Sequence, residues 1–211
     1  MKKILMCLCL LVGYGMANDR SGAILGVEFG LNEVDLKASA QGVSGNIKLS
    51  APVYGFKAGY KHFFTDLIGL QGYFSFKDSF INANAKIDSS NISVSGSGSA
   101  HFMPIMANAD VIFDFYKSND VSLDAIIGVG VGVAMVNYKN KAIEALTIPT
   151  ITENFSGFYG DARVGLGVNA SNNRIGLVAS FPFNSVNKTI YSVKLKVKQN
   201  YAVSLTYDYT F

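Results

Sequence analysis

The chain has no tryptophan, four prolines, two histidines and two cysteines in 211 residues, and each scarcity excludes something. Both cysteines, Cys7 and Cys9, lie in the first nine residues, so no disulfide framework spans the chain. His62 and His101 stand far apart in sequence and leave few candidates for metal ligation or acid-base chemistry. No run of 18 apolar residues occurs, which excludes membrane-spanning helices even though 49% of the residues are hydrophobic. The apolar run Ile4 to Val12 follows Lys2 and Lys3 and precedes a small-x-small pattern ending at Ala17. That is the layout of a secretory signal peptide over residues 1–17. Ile4-Leu5-Met6 before Cys7 fits a lipoprotein box poorly. Without Lys2 and Lys3 the 18 basic residues become 16 against 15 acidic ones, a balance that predicts no nucleic acid or other polyanion partner.

What the chain does have is alternation. Eight segments place apolar and polar side chains on opposite faces with a period of two. They are residues 23–31, 53–62, 67–77, 102–115, 121–135, 158–168, 174–183 and 201–211. In the last, Tyr201, Val203, Leu205, Tyr207, Tyr209 and Phe211 share one face, and Ala202, Ser204, Thr206, Asp208 and Thr210 the other. About 9 to 11 residues suffice for a tilted strand to cross hydrocarbon. Three tight turns, 63–66, 116–120 and 169–173, alternate with four long loops, 32–51, 78–101, 136–157 and 184–200. This organisation predicts an all-β fold, an eight-stranded antiparallel up-and-down transmembrane β-barrel forming a single domain over 18–211. Turns and both termini then lie in the periplasm and loops outside.

Charge follows the same division. Glu28, Lys57, Lys61, Lys77, Asp110, Asp114, Asp124, Asp161, Arg163, Arg174 and Asp208 all sit opposite the apolar side chains of their segments. Lysine or arginine on a lipid face costs roughly 2 to 4 kcal/mol near the midplane, so such segregation is expected of a membrane barrel. An eight-stranded barrel is only wide enough for side chains to fill. Five basic and six acidic inward groups therefore predict a structural ion-pair network plugging the lumen, with Gly26, Gly128 and Gly130 making room. Aromatic residues gather at the turn side (Phe63, Phe64, Phe115, Tyr116, Tyr207, Tyr209, Phe211) and at the loop side (Tyr54, Phe56, Phe74, Phe76, Phe158, Phe181, Phe183). Two such belts suit two membrane interfaces. A soluble lipocalin-like barrel would be apolar inside, whereas here the inward face is glycine and charge.

The alternating aromatics Tyr207, Tyr209 and Phe211 resemble the terminal strand of bacterial outer-membrane barrels. That resemblance implies a signal read by the barrel-assembly machinery. With the leader, the eight strands and the long loops, the mature chain resembles the small outer-membrane barrels of the OmpX, OmpA membrane-domain and opacity-protein kind. Its Tyr-rich ending is similar to outer-membrane proteins of helicobacter-like bacteria. The resemblance implies a monomer in the outer membrane of a Gram-negative bacterium, in contact with outer-membrane lipid and lipopolysaccharide. Its surface loops would act in adhesion to a host or cell-surface ligand, or in membrane integrity.

Function is expected in the loops. Val34, Leu36, Ala38 and Ala40 continue the alternation of the first strand, and Ile47 and Leu49 lead into the second. Ile81 to Ile87 likewise faces Ile92 and Val94. Hairpins standing above the membrane are predicted there, with edges able to accept another strand. The basic run Val193-Lys-Leu-Lys-Val-Lys198 meets either lipopolysaccharide phosphates or solvent, and a solvated edge is the simpler expectation. Lipid A deacylases and phospholipases use a His-x-Ser element; neither histidine precedes a serine at that spacing. His101, at a loop edge near the outer leaflet, is the one candidate base, and the chain is expected not to be an enzyme. No metal cluster or phosphate loop appears, and Gly128-Val-Gly-Val-Gly132 alternates as a strand, so no cofactor is expected. A narrow pore is the alternative function.

Overall fold

The computed structural model describes residues 21–40, 43–89, 92–118, 121–140, 151–190 and 193–211. The expected leader at 1–17 lies outside the described residues, as do 41–42 and 90–91. Nine strands form one antiparallel sheet: β1 (Gly22–Ala40), β2 (Val43–Phe63), β3 (Ile68–Ser89), β4 (Ile92–Ser118), β5 (Val121–Asn140), β6 (Ile151–Ala170), β7 (Asn173–Pro182), β8 (Val186–Ile190) and β9 (Val193–Thr210). Neighbouring strands pair in sequence order as far as β7, which pairs with β9. The pairing of β9 with β1 closes a ring of eight. The short β8 is added to the outer part of β9, in a stretch expected to be loop. All eight alternating segments fall, to within a residue, inside ring strands.

Most ring strands are 18 to 27 residues long, about twice what a bilayer requires. The stretches read as long loops are therefore largely strand. Val34 pairs with Leu49, Leu36 with Ile47, and Ile87 with Val94, so the expected hairpins are continuations of the wall. At about 3.3 Å per residue, a 20-residue strand extends roughly 65 Å along its own axis, well past a hydrocarbon band about 25 Å tall.

Two solvents explain the side-chain pattern along this length. In the lower part, Leu205, Leu166, Val131 and Phe74 point outward at 58%, 62%, 49% and 72% exposure, while Arg163 and Asp161 are buried at 2% and 1%. The apolar side faces hydrocarbon and the lumen is mostly polar, with a small apolar cluster of Phe63, Ile112, Ile126 and Val178 toward the turns. In the upper part the phase inverts. On β1 the outward apolar series Leu25, Val27, Phe29, Leu31 stops, and Val34 and Leu36 turn inward. Contrary to what their spacing predicts, Val34 and Leu36 thus do not extend the lipid-facing row of the first strand. Val34 and Leu36 keep the spacing of the first strand and occupy the other face, because Leu31 to Val34 is an odd step in a period of two. Polar Glu33, Lys37 and Ser39 take the outward positions. The same switch brings Ala51, Ile81, Phe102, Val136, Phe155 and Val197 into one buried apolar cluster with Val34. On β9 a bulge at Asn200 performs it, since Glu33 pairs with Tyr201 and Val34 with Gln199. Burial in this cluster lifts the Tyr138 phenol above its usual pKa.

The turn ends are compact. Thr65 Oγ1 accepts hydrogen bonds from the backbone N–H of Leu67 (3.3 Å) and Ile68 (3.0 Å). Between β6 and β7, Ser171 adopts φ 50, the one non-glycine residue with positive φ among those described. Glycine is required where strands and lumen side chains crowd: a Cβ on Gly130 would collide with Arg163 Nη2 and Asn108 Oδ1.

Candidate functional site

Arg163, from the middle of β6, organises the lower lumen. Its Nη2 donates to Asp161 and to Asn108 Oδ1 (2.5 Å), its Nη1 donates to the Tyr73 hydroxyl (2.5 Å), and its Nε lies 3.8 Å from Asp110 Oδ1. Asp110 also accepts from Gln71 Nε2 (2.8 Å) and Tyr73 Oη (2.9 Å). Nearer the turns, Arg174 grips Asp124 through Nε (2.8 Å) and Nη2 (2.7 Å) and reaches Asp208 at 3.4 Å. Lys57 bridges to Asp208 and Lys77 to Glu28, each at 2.9 Å. Lys61 lies over the Phe63 ring at 5.8 Å, and Asp114 is 1% exposed. All eleven charged residues singled out from the sequence thus point into the lumen. Three neutral residues, Gln71, Tyr73 and Asn108, join the eleven charged ones in the network. Their signal is the cross-strand register, since Gln71 pairs with Asp110 and Tyr73 with Asn108.

The arrangement fills space and balances charge. Each cation has a carboxylate or aromatic neighbour, so the low dielectric of the lumen strengthens the pairs that offset their own desolvation. Above them the apolar cluster closes the outer lumen. Within it Tyr159 packs on Phe102 at 5.4 Å and donates to Gln199 Oε1 at 2.9 Å.

A second cluster faces outward at the upper edge of the lipid band. Asp78, one residue past the third predicted segment, is paired across the ladder with Tyr54 and so shares the outward face. Tyr54 Oη donates to Asp78 Oδ2 at 2.7 Å, and His101 Nδ1 lies 3.1 Å from both carboxylate oxygens. Phe80 covers the imidazole at 4.8 Å. Asp78 fixes the ring as a base would require. Among the described residues, however, no hydroxyl nucleophile is hydrogen-bonded to His101. His62, near the β2–β3 turn, packs edge-on against Phe64 at 4.9 Å. Among the described residues no group of three or more His, Cys, Asp or Glu side chains could hold a metal ion, and no helix is long and apolar enough to cross a membrane.

Residues 55–211 match the family described as Helicobacter outer membrane protein. No curated protein matches the chain. Among solved structures it is similar to Ail, the attachment invasion locus protein of Yersinia pestis, at 17% identity and TM-score 0.37, covering 89% of this chain and 99% of that one. It is also similar to Neisserial surface protein A, at 14% identity and TM-score 0.44 over 90% and 98%. Outer membrane protein OprG from Pseudomonas aeruginosa gives 9% identity and TM-score 0.47 over 91% and 97%. At these similarities no binding property or activity transfers.

Proposed function

The chain belongs to the Helicobacter outer membrane protein family, and from that premise we propose that it works at the cell surface through the outer half of its barrel. There it engages a host or neighbouring surface, or stiffens the outer membrane. The observation that carries the reading is the phase inversion: above the lipid band the wall continues as two hydrogen-bonded sheets, β8-β9-β1-β2 and β3-β4-β5-β6, with an apolar interior between them and a polar exterior. A packed interior makes the outer rim a rigid support, which lowers the ordering cost of binding through the segments at its tips. Ion pairs below and apolar packing above weigh against a conducting lumen, the alternative function. The Tyr54–Asp78–His101 cluster keeps a lipid-modifying role in view, and unchanged lipid A in a His101→Ala strain would remove it.

The placement of leader and termini is part of the same proposal, as are the monomeric state and the role of Tyr207, Tyr209 and Phe211 as an assembly signal. The mature chain has no cysteine once 1–17 is removed, so single-cysteine labelling tests it cleanly. On intact cells, a membrane-impermeant maleimide is expected to label Lys139→Cys and leave Thr65→Cys unlabelled. Labelling of Thr65→Cys with protection of Lys139→Cys would overturn the orientation. Phe211→Ala is expected to lower the amount of assembled barrel several-fold; normal surface levels would count against the terminal-strand reading.

A further inference from the structure

One row of outward side chains above the lipid band consists of hydrogen-bond donors with no acid among them. The register sets Asn46 of β2 against Lys37 of β1, Lys37 against Lys196 of β9, and Lys196 against Asn187 of β8. All four side chains are exposed. Residues directly opposite in an antiparallel ladder share a face with Cβ atoms about 5 Å apart, and like charges there destabilise the sheet. Lys37 opposite Lys196 is such a pair. The row beneath is different: Asp35 lies between Lys48 and Lys198, and Glu33 accepts from Asn200 Nδ2 at 2.9 Å and lies 4.0 Å from Lys48. Acids therefore compensate the lower row and leave the upper one positive. A near-zero net charge hides this, because it averages the rim with the lumen pairs.

Resting on the surface reading above, we propose that this row binds a phosphate group on the saccharide part of the outer-leaflet glycolipid, lipopolysaccharide. Lys37 is six residues beyond Leu31, the last outward apolar residue of β1. At about 3.3 Å per residue and a tilt near 40°, that is about 15 Å above the hydrocarbon edge. This is the level of headgroup sugars and their phosphates, and the lysine stems reach several Å further in either direction. An anion between the two ammonium groups turns a repulsive pair into a bridged one, with the amide groups of Asn46 and Asn187 completing the donor set. The expectation that the basic run 193–198 is a solvated edge omitted Lys37, which only the β1–β9 register brings to it.

The test uses the full mature barrel in nanodiscs, titrated with lipopolysaccharide, with the same lipopolysaccharide after phosphatase treatment, and with sodium phosphate. The wild type is expected to bind the phosphorylated glycolipid, more weakly as salt rises, and the dephosphorylated one at least tenfold more weakly. Lys37→Gln with Lys196→Gln should weaken binding about thirtyfold, at about 1 kcal/mol for each lysine near an anionic surface. Lys37→Arg with Lys196→Arg should retain it. Without glycolipid, the Gln pair should unfold at a slightly higher temperature than the wild type, which a purely structural role for the lysines does not predict. Equal binding of treated and untreated glycolipid, or by the Gln pair and the wild type, overturns the proposal. So does competition by millimolar phosphate that matches the glycolipid, which would assign the row to a free anion. Failure of Lys37→Cys to label from outside intact cells would instead remove the surface reading itself.

Discussion

The lower and upper halves of the lumen share seven strands, with β7 only below and β8 only above, and are filled in largely opposite ways. Below, Arg163, Arg174, Lys57 and Lys77 meet carboxylates; above, Phe102, Val136, Phe155 and Val197 pack on one another. The wall's surroundings decide which filling is tolerated. Where hydrocarbon covers the outside, apolar side chains gain little by turning inward, and most of the interior is left to groups that can satisfy each other, beside a small apolar cluster of Phe63, Ile112, Ile126 and Val178 near the turns. Where water covers the outside, burial of apolar area favours the ordinary arrangement, at about 25 cal/mol per Å². A shift of one residue in phase therefore marks where the bilayer ends along the strands that continue past it, as on β1 and β9.

That contrast can be broken at four places, in falling order of effect. Arg163→Met removes the hub of the lower lumen and leaves Asp110 and Asp161 buried without their cation. A loss of about 3 to 5 kcal/mol is expected, read as a lower midpoint in urea by the mobility of the unboiled protein in detergent gels. Replacing Arg163, Asp110 and Asp161 together by apolar residues of similar size should recover most of it, because no charge is then orphaned. In the upper lumen Phe102→Ala should cost about 3 to 4 kcal/mol by the same assay, through a cavity in the apolar cluster. Phe102→Leu should cost far less, whereas charge reversal at exposed Lys196 should change stability little. Leu205→Lys places an ammonium in hydrocarbon and should cost about 2 to 4 kcal/mol in vesicles; equal stability of Leu205→Lys and the wild type would mean that Leu205 does not face lipid. The smallest effect is expected at Ser171, whose positive φ favours glycine: Ser171→Gly should stabilise by about 0.5 to 1 kcal/mol.

Much of the lower half was legible in the sequence because hydrophobicity and strand period agree there. Leu25, Val27, Phe29 and Leu31 mark the outside of β1, and Glu28 marks its lumen side. The upper half was harder to read, since its apolar residues keep the same spacing and exchange faces. Val34 and Leu36 looked like a continuation of Leu31; only the three-residue step between them records the inversion, and on β9 the bulge at Asn200 conceals even that. Partnerships between strands were out of reach for a related reason. Asp78 meets His101 and Tyr54, and Lys37 meets Lys196, through ladder registers that a single strand's pattern does not contain. The five-residue β8 carries too few apolar positions to alternate visibly.

The inversion itself is most directly tested by spin labels placed one at a time along β1 in reconstituted vesicles, comparing collision with oxygen and with a water-soluble nickel chelate. Oxygen access is expected at positions 25, 27, 29 and 31, nickel access at 37, and protection from both at 34 and 36. Oxygen access at 34 and 36 would contradict the inversion, because the apolar face would then continue outward into lipid and the upper barrel would have no core.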